Sequence, residues 1–241
     1  MSAGLGLTLA SGLAAGALHV VGGIDHLAAL LPLSVGQRRR AFGLGVRWGL
    51  GHSAGVLVIG ALGVALRERL DLAAVGGWGE RLVGVMLIGI GLLGIRRAAR
   101  LEAHVHRHQH DGEAHSHLHV HGPRDAHVGE SPAPLHRHRH TAFFAGTVHG
   151  VAGTAHVLGV LPALALPTLA ASGGYLAAFA VGTILAMGAF ASLVGMGSER
   201  AAGRAPSRLR GLLGAAGAAA VLVGLVWLLF PALGWELPEL G

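Results

Sequence analysis

Hydrophobic residues run through this chain in six long blocks, at about residues 5–33, 41–66, 78–95, 143–169, 176–197 and 211–230. The strands of a membrane barrel would carry a polar residue at every second position, and these blocks do not. Each block matches or approaches the roughly 20 residues a helix needs to cross a bilayer. The pattern predicts an all-α, polytopic membrane protein with six transmembrane helices. The first block, at 29 residues, would be about 43 Å long as an unbroken helix, against a hydrocarbon core of roughly 30 Å. It must tilt strongly or break, and Gly22, Gly23 and Pro32 offer a place for the break; Gly150, Gly153 and Pro162 repeat that arrangement in the fourth block.

The first and fourth blocks repeat one another. Residues 16–33, GALHVVGGIDHLAALLPL, return at residues 146–163 as GTVHGVAGTAHVLGVLPA, with seven of eighteen positions identical at an offset of 130. Small apolar letters match easily by chance. Paired histidines at equal spacing, His19/His149 and His26/His156, do not. Each copy opens a group of three blocks, and because three is odd the second group enters the membrane from the opposite side. The expected organisation is two inverted three-helix repeats, residues 1–100 and 141–241, joined by a loop at 101–140. In transporters of that design the substrate site lies near the midplane on broken helices.

Composition agrees with a membrane protein: 52% of residues are hydrophobic, 12% are charged, and the mean hydropathy is +0.59. All eighteen basic residues are arginine, and fourteen fall in or beside the segments following the first, third and fifth blocks. By the positive-inside rule those segments face the cytoplasm and both termini face out, in a bacterial-type inner membrane. The basic balance then reads as contact with anionic lipid, and nucleic acid is not an expected partner. The N-terminus lacks a basic n-region, so the first block is read as a retained helix and not a signal peptide. Cysteine is absent, which leaves imidazole, carboxylate and backbone oxygen as metal ligands. Lysine is absent too, so a Walker A phosphate loop is excluded, and energy for any pumping must come from a gradient or a partner.

Ionisable residues inside membrane helices are costly and mark ion or proton pathways. Here they are His19, Asp25, His26, His52, His149 and His156. On a regular helix His19 and His26 lie about 10 Å apart along the axis, too far to share an ion with bonds of about 2.0–2.1 Å. Unwinding at Gly22 and Gly23 would let His19, Asp25 and His26 converge, with His52 added from the second block. The second copy has Ala155 in place of the acid, so one principal site biased to the first half is expected. Asp25 is the strongest single candidate; Arg47 is its alternative partner but is expected to snorkel to the membrane edge.

Twelve of the seventeen histidines crowd into residues 104–140, a low-complexity linker expected to be loosely ordered. His104, His106, His108, His110, His115, His117, His119, His121, His136, His138 and His140 are its candidate metal ligands. Alternation of the HxHxHxH kind would put them on one side of an extended chain.

These residues carry a family resemblance. The HX5DH segment His19–His26, followed by LAALLPLSVG, then WGLGHSAG from Trp48, VHG from Val148 and LPALALP from Leu161, resembles the nickel/cobalt transporter superfamily. It is most similar to the branch called high-affinity nickel-transport family proteins, of bacteria and plastids, over nearly all of the chain except the histidine-rich loop. The resemblance implies transport of Ni2+ or Co2+ as substrate, with no prosthetic group and with His19, Asp25, His26 and His52 handling the metal. The spacing departs from the HX4DH of well-known nickel permeases and is similar to that of small permeases associated with hydrogenase and urease maturation. Other divalent cargoes (zinc, manganese, iron), efflux instead of uptake, and a homo-oligomer stay open. Two rivals are a metal sensor or storage protein and an intramembrane serine hydrolase, the latter from GHSAG at residues 51–55. The elbow that activates such a serine needs a strand, a sharp turn and a helix, and this pentapeptide lies within a helical block, so no enzyme is expected.

Overall fold

The computed structural model describes residues 2–66, 72–110, 113–121, 140–152, 156–203 and 205–230. Eight helices are present among them: α1 (Ser2–Gly22), α2 (Ile24–Ser34), α3 (Ala41–Leu66), α4 (Leu72–Ala99), α5 (Thr141–Ala152), α6 (His156–Leu164), α7 (Leu169–Ala202) and α8 (Pro206–Leu229). Five contain stretches long and apolar enough to cross a membrane: Gly4–Gly22, Ala41–Gly60, Trp78–Ala99, Leu169–Ala202 and Ser207–Leu229. Large apolar side chains such as Leu7, Leu57, Leu93, Leu193 and Leu222 are exposed on these helices, as lipid contact requires. The chain is a multi-pass membrane protein.

The first and fourth blocks are both divided. The first breaks at Gly23, which caps α2 in an extended conformation (φ −77°, ψ 96°). The fourth becomes α5 and α6, of 12 and 9 residues, and neither can cross a bilayer alone. Its division falls at residues 153–155, outside the described residues. A proline lies inside each distal piece, Pro32 in α2 and Pro162 in α6.

Lipid tails are as apolar as leucine, so helices in a bilayer associate by close contact, and small residues permit it. This chain spends its glycines there. α1 lies along α7 and α5 along α3, while α3 packs on α7 and α4 on α8. A methyl group added at Gly16 would meet the carbonyl of Phe179, and one at Gly146 the carbonyl of Trp48. Likewise Gly182 faces the Leu13 carbonyl and Gly51 the Phe143 carbonyl. Between α4 and α8, Gly91 and Gly217 each face the other's carbonyl, as do Gly84 and Gly224. Thr183 adds a buried hydrogen bond across the α1–α7 seam, its Oγ1 donating to the Gly16 carbonyl at 3.3 Å.

The histidine-rich segment departs from the loosely ordered linker that its composition predicts. Glu102–His110 (β1) and Glu113–His121 (β2) pair antiparallel, so the all-α class describes the membrane part alone. In this register His104 stands opposite His119, His106 opposite His117 and His108 opposite His115, with Glu102/His121 and His110/Glu113 at the two ends. The interleaved apolar and β-branched residues give the segment a strand pattern that a count of histidines hides.

Gly16→Ala is expected to destabilise the folded protein by about 1–3 kcal/mol, because its methyl group meets a backbone carbonyl that cannot yield. Gly89→Ala, with open space at that position, should be neutral or gain up to about 1 kcal/mol of helix propensity. Thermal unfolding in detergent distinguishes them, and equal midpoints would count against the close α1–α7 seam.

Candidate metal centre

The break at Gly23 creates the site. α1 delivers His19 in its last turn, and α2 restarts at Ile24 with Asp25 and His26 in its first turn. The His26 and Leu27 amides close back on the Gly23 carbonyl at 3.1 and 3.2 Å. A side chain at Gly23 would collide with Nδ1 of His26 and approach Oδ1 of Asp25, so the absent Cβ leaves the space these groups occupy. α3 brings His52, and α5 brings His149, its backbone drawn against α3 where Gly150 meets the His52 carbonyl.

Five of the six membrane residues expected at the site come together. His26 is central: its ring lies 4.7 Å from that of His19, 4.8 Å from His52 and 4.6 Å from His149, centroid to centroid. His19 and His52 stack at 5.7 Å, and His52 and His149 approach to 5.5 Å. All four rings are buried, as is Asp25. The sixth residue, His156, opens α6, and its side chain lies outside the described residues. Of the loop candidates, His104, His106, His108, His110, His115, His117, His119 and His121 sit on β1 and β2. His136 and His138 lie outside the described residues, and His140 is exposed just before α5.

Asp25 holds the cluster together. Its Oδ1 accepts from the backbone amide of His26 at 2.8 Å and meets His26 Nδ1 at 2.7 Å, while Oδ2 lies 3.2 Å from Nε2 of His149. The carboxylate is partnered by histidines of both halves and not by Arg47. A neutral histidine has one N–H and one lone pair. With its Nδ1–H given to Asp25, His26 turns the lone pair of Nε2 outward as a ligand atom, the carboxylate–histidine arrangement that orients metal-binding imidazoles.

Two three-residue groups therefore offer ligand atoms within 4.8 Å of one another: His19, His26 and His52, and Asp25, His26 and His149. Ligand atoms around an ion with bonds of about 2.1 Å sit roughly 3–3.5 Å apart, so either group needs only a small contraction. Nitrogen-rich sites with one carboxylate suit first-row divalent cations.

Aligning the halves identifies residues that the histidine count misses. At an offset of 131, Trp48 corresponds to Phe179 and His52 to Thr183; WGLGHSAG is answered by FAVGTILA, with only Gly51/Gly182 in common. The rings follow the same correspondence: Trp48 lies 6.0 Å from His149, and Phe179 lies 5.5 Å from His19. Thr183 is committed to the Gly16 carbonyl. The second half therefore lends His149 to the first and has no counterpart of Asp25 or His52.

Two curated relatives match this chain. Chloroplast protein FOR GROWTH AND FERTILITY 2 of Arabidopsis thaliana is 35% identical over 167 residues, 69% of this chain and 41% of that protein. Chloroplast protein FOR GROWTH AND FERTILITY 1 of the same plant is 35% identical over 170 residues, 69% of this chain and 43% of that protein. The chain thus spans less than half the length of the curated relatives it matches. No family model matches the chain, and no solved structure does.

Asp25→Asn should weaken binding of a divalent ion about 10–100-fold, the usual cost of losing a carboxylate that orients metal-binding histidines. Competition against a chelating dye would read the change, using a chain cut free of residues 104–140 so that loop histidines do not contribute. Unchanged affinity would show that Asp25 has no part in metal binding.

Proposed function

We propose that this chain is a membrane permease that moves divalent transition-metal ions, Ni2+ or Co2+, by alternating access around the His19/Asp25/His26/His52/His149 cluster. One observation carries the reading. Four imidazoles and a carboxylate, buried among membrane-crossing helices at a helix break, form a binding site where packing alone would favour apolar residues. The motif resemblance to the nickel/cobalt transporter superfamily supplies the ions. The curated relatives are named as chloroplast proteins, which agrees with the plastid members of the branch this chain resembles.

The architecture we infer is six spans in two inverted repeats, with α1 and α2 together forming the first span and α5 and α6 the fourth. Its support is the exchange of contacts: the α1–α7 seam and the α5–α3 seam use corresponding glycines, and α3–α7 and α4–α8 are each self-paired. On this reading both termini face outward, and the arginine-rich ends and the histidine ribbon face the cytoplasm. The ribbon collects metal next to the permeation path but is not part of it. We read the chain as a carrier and not an enzyme, because Ser53 lies within the continuous helix α3 and not on a strand-to-helix elbow. The efflux direction and a Zn2+, Mn2+ or Fe2+ cargo are outcomes of the same assay.

Purified protein in liposomes should take up nickel or cobalt saturably from a panel of these five ions, and His26→Ala should abolish uptake. Failure to move any ion under an imposed proton gradient would overturn the permease reading. Binding must also fall as the pH drops from 7 toward 5, since protons compete for imidazoles with an ordinary pKa of about 6.5. A flat binding profile from pH 5 to 8 would argue against imidazole ligands. Removal of residues 104–140 should alter the apparent affinity and leave transport in place; complete loss in a correctly inserted protein would make the ribbon part of the path.

A further inference from the structure

The two aromatic rings beside the histidine cluster lie on opposite sides of it. Trp48 precedes His52 by one helical turn on α3, and Phe179 precedes Thr183 by one turn on α7. The two helices run antiparallel, since Gly45 meets Met187 while Gly49 meets Ile184. Four residues rise about 6 Å, so Trp48 is displaced from His52 toward the arginine-rich face where α3 begins. Phe179 lies beside His19, one turn from Thr183 on the side of the other face, where α7 begins.

Both rings are seated tightly. Trp48 is fully buried, against His149. Phe179 is 6% exposed and lies between His19, the stacked ring of Tyr175 and the backbone of Gly159, where an added methyl group would strike the Phe179 ring. Glycine at 159 lets α6 close over that ring. The indole N–H of Trp48 is buried with no hydrogen-bond partner among the described residues. A buried donor left without an acceptor is costly, and a water or hydroxide carried by an entering cation would provide one.

We propose that Trp48 and Phe179 are the two gates of the cation site, each closing it from one face of the membrane, so that the structure is the occluded state with both closed. Swinging Trp48 aside opens the cluster toward the arginine-rich face, and swinging Phe179 aside opens it toward the opposite face. The correspondence of the two rings lets one motion in each half perform the same task in mirrored directions. The gates are unequal in chemistry: Trp48 can donate a hydrogen bond to the ion's hydration water, while Phe179 acts by bulk alone. This inference rests on the permease reading, and its test is independent of transport.

The chain has no cysteine, so a single introduced thiol is a silent-background reporter. His26→Cys places one at the centre of the cluster, and Ala29→Cys, one turn further along α2 and fully buried, serves if the first does not fold. Membrane-impermeant thiol reagent would be applied without metal to vesicles of each orientation. The reporter alone should label slowly from both faces. Adding Trp48→Ala should raise labelling by about tenfold or more from the arginine-rich face only, and Phe179→Ala likewise from the opposite face only. No increase, an increase from the wrong face, or an equal increase from both faces for either substitution would overturn the gating assignment. One-sided labelling of the reporters, with no ion moved by the cysteine-free parent protein, would sink the permease reading and leave the gates standing. Ion transport by the parent protein, with two-sided or unchanged labelling of the reporters, would do the reverse.

Discussion

The arrangement of this protein depends on how a carboxylate can be kept among membrane helices. An ionised acid in an apolar interior is tolerated only when its oxygens are partnered. Asp25, the only buried acid among the described residues, meets that condition with an amide and two imidazoles. One imidazole comes from the following residue and the other from α5, far along the chain. A single side chain thereby ties the first half to the second, and the geometry of the site follows from satisfying it. Asp25 can reach these partners only because the helix stops at Gly22 and begins again at Ile24. An unbroken helix would separate His19 from His26 by about 10 Å.

That demand explains the distribution of glycine. Histidine rings meet across four helices only if the backbones carrying them come close, and lipid gives no hydrophobic reason for them to do so. Gly51 and Gly55 of α3 and Gly146 and Gly150 of α5 remove the side chains that would keep those helices apart. The result is the 5.5 Å approach of His52 and His149. The same device at Gly16 and Gly182 brings α1 onto α7. Packing and site are one construction here, since the glycine contacts set the distances between ligands.

Much of this was legible in the sequence. Hydrophobic blocks gave the membrane class, the glycine pair between His19 and Asp25 gave the break, and the cost of buried ionisable groups singled out five residues that do converge. The fourth block, whose Gly150, Gly153 and Pro162 repeat the breakers of the first, divides into α5 and α6. Two things were hidden, each for a physical reason. The histidine-rich segment reads as a linker by composition, while its alternation with Val105, Leu118 and Val120 supports strand pairing. Trp48 and Phe179 are ordinary apolar residues in apolar helices; only the offset between the repeats, seen together with the ring contacts, sets them apart.

The breaking of symmetry between the halves bears on how tightly a cation can be held. Glycine correspondence persists through Gly16/Gly146 and Gly51/Gly182, but the polar groups do not follow it. Thr183 stands where His52 would recur, and Ala155 where Asp25 would. Two equivalent sites would each require a buried carboxylate, doubling the electrostatic cost of the empty protein. One site with one carboxylate leaves a divalent cargo only partly neutralised, because neutral imidazoles donate electron pairs and no charge. Such a site binds by coordination, and the residual positive charge favours release when the surroundings open to water. A second buried acid would bind the ion more tightly and hold it longer, at the expense of turnover. The asymmetry of the halves thus fits the proposed carrier better than a store.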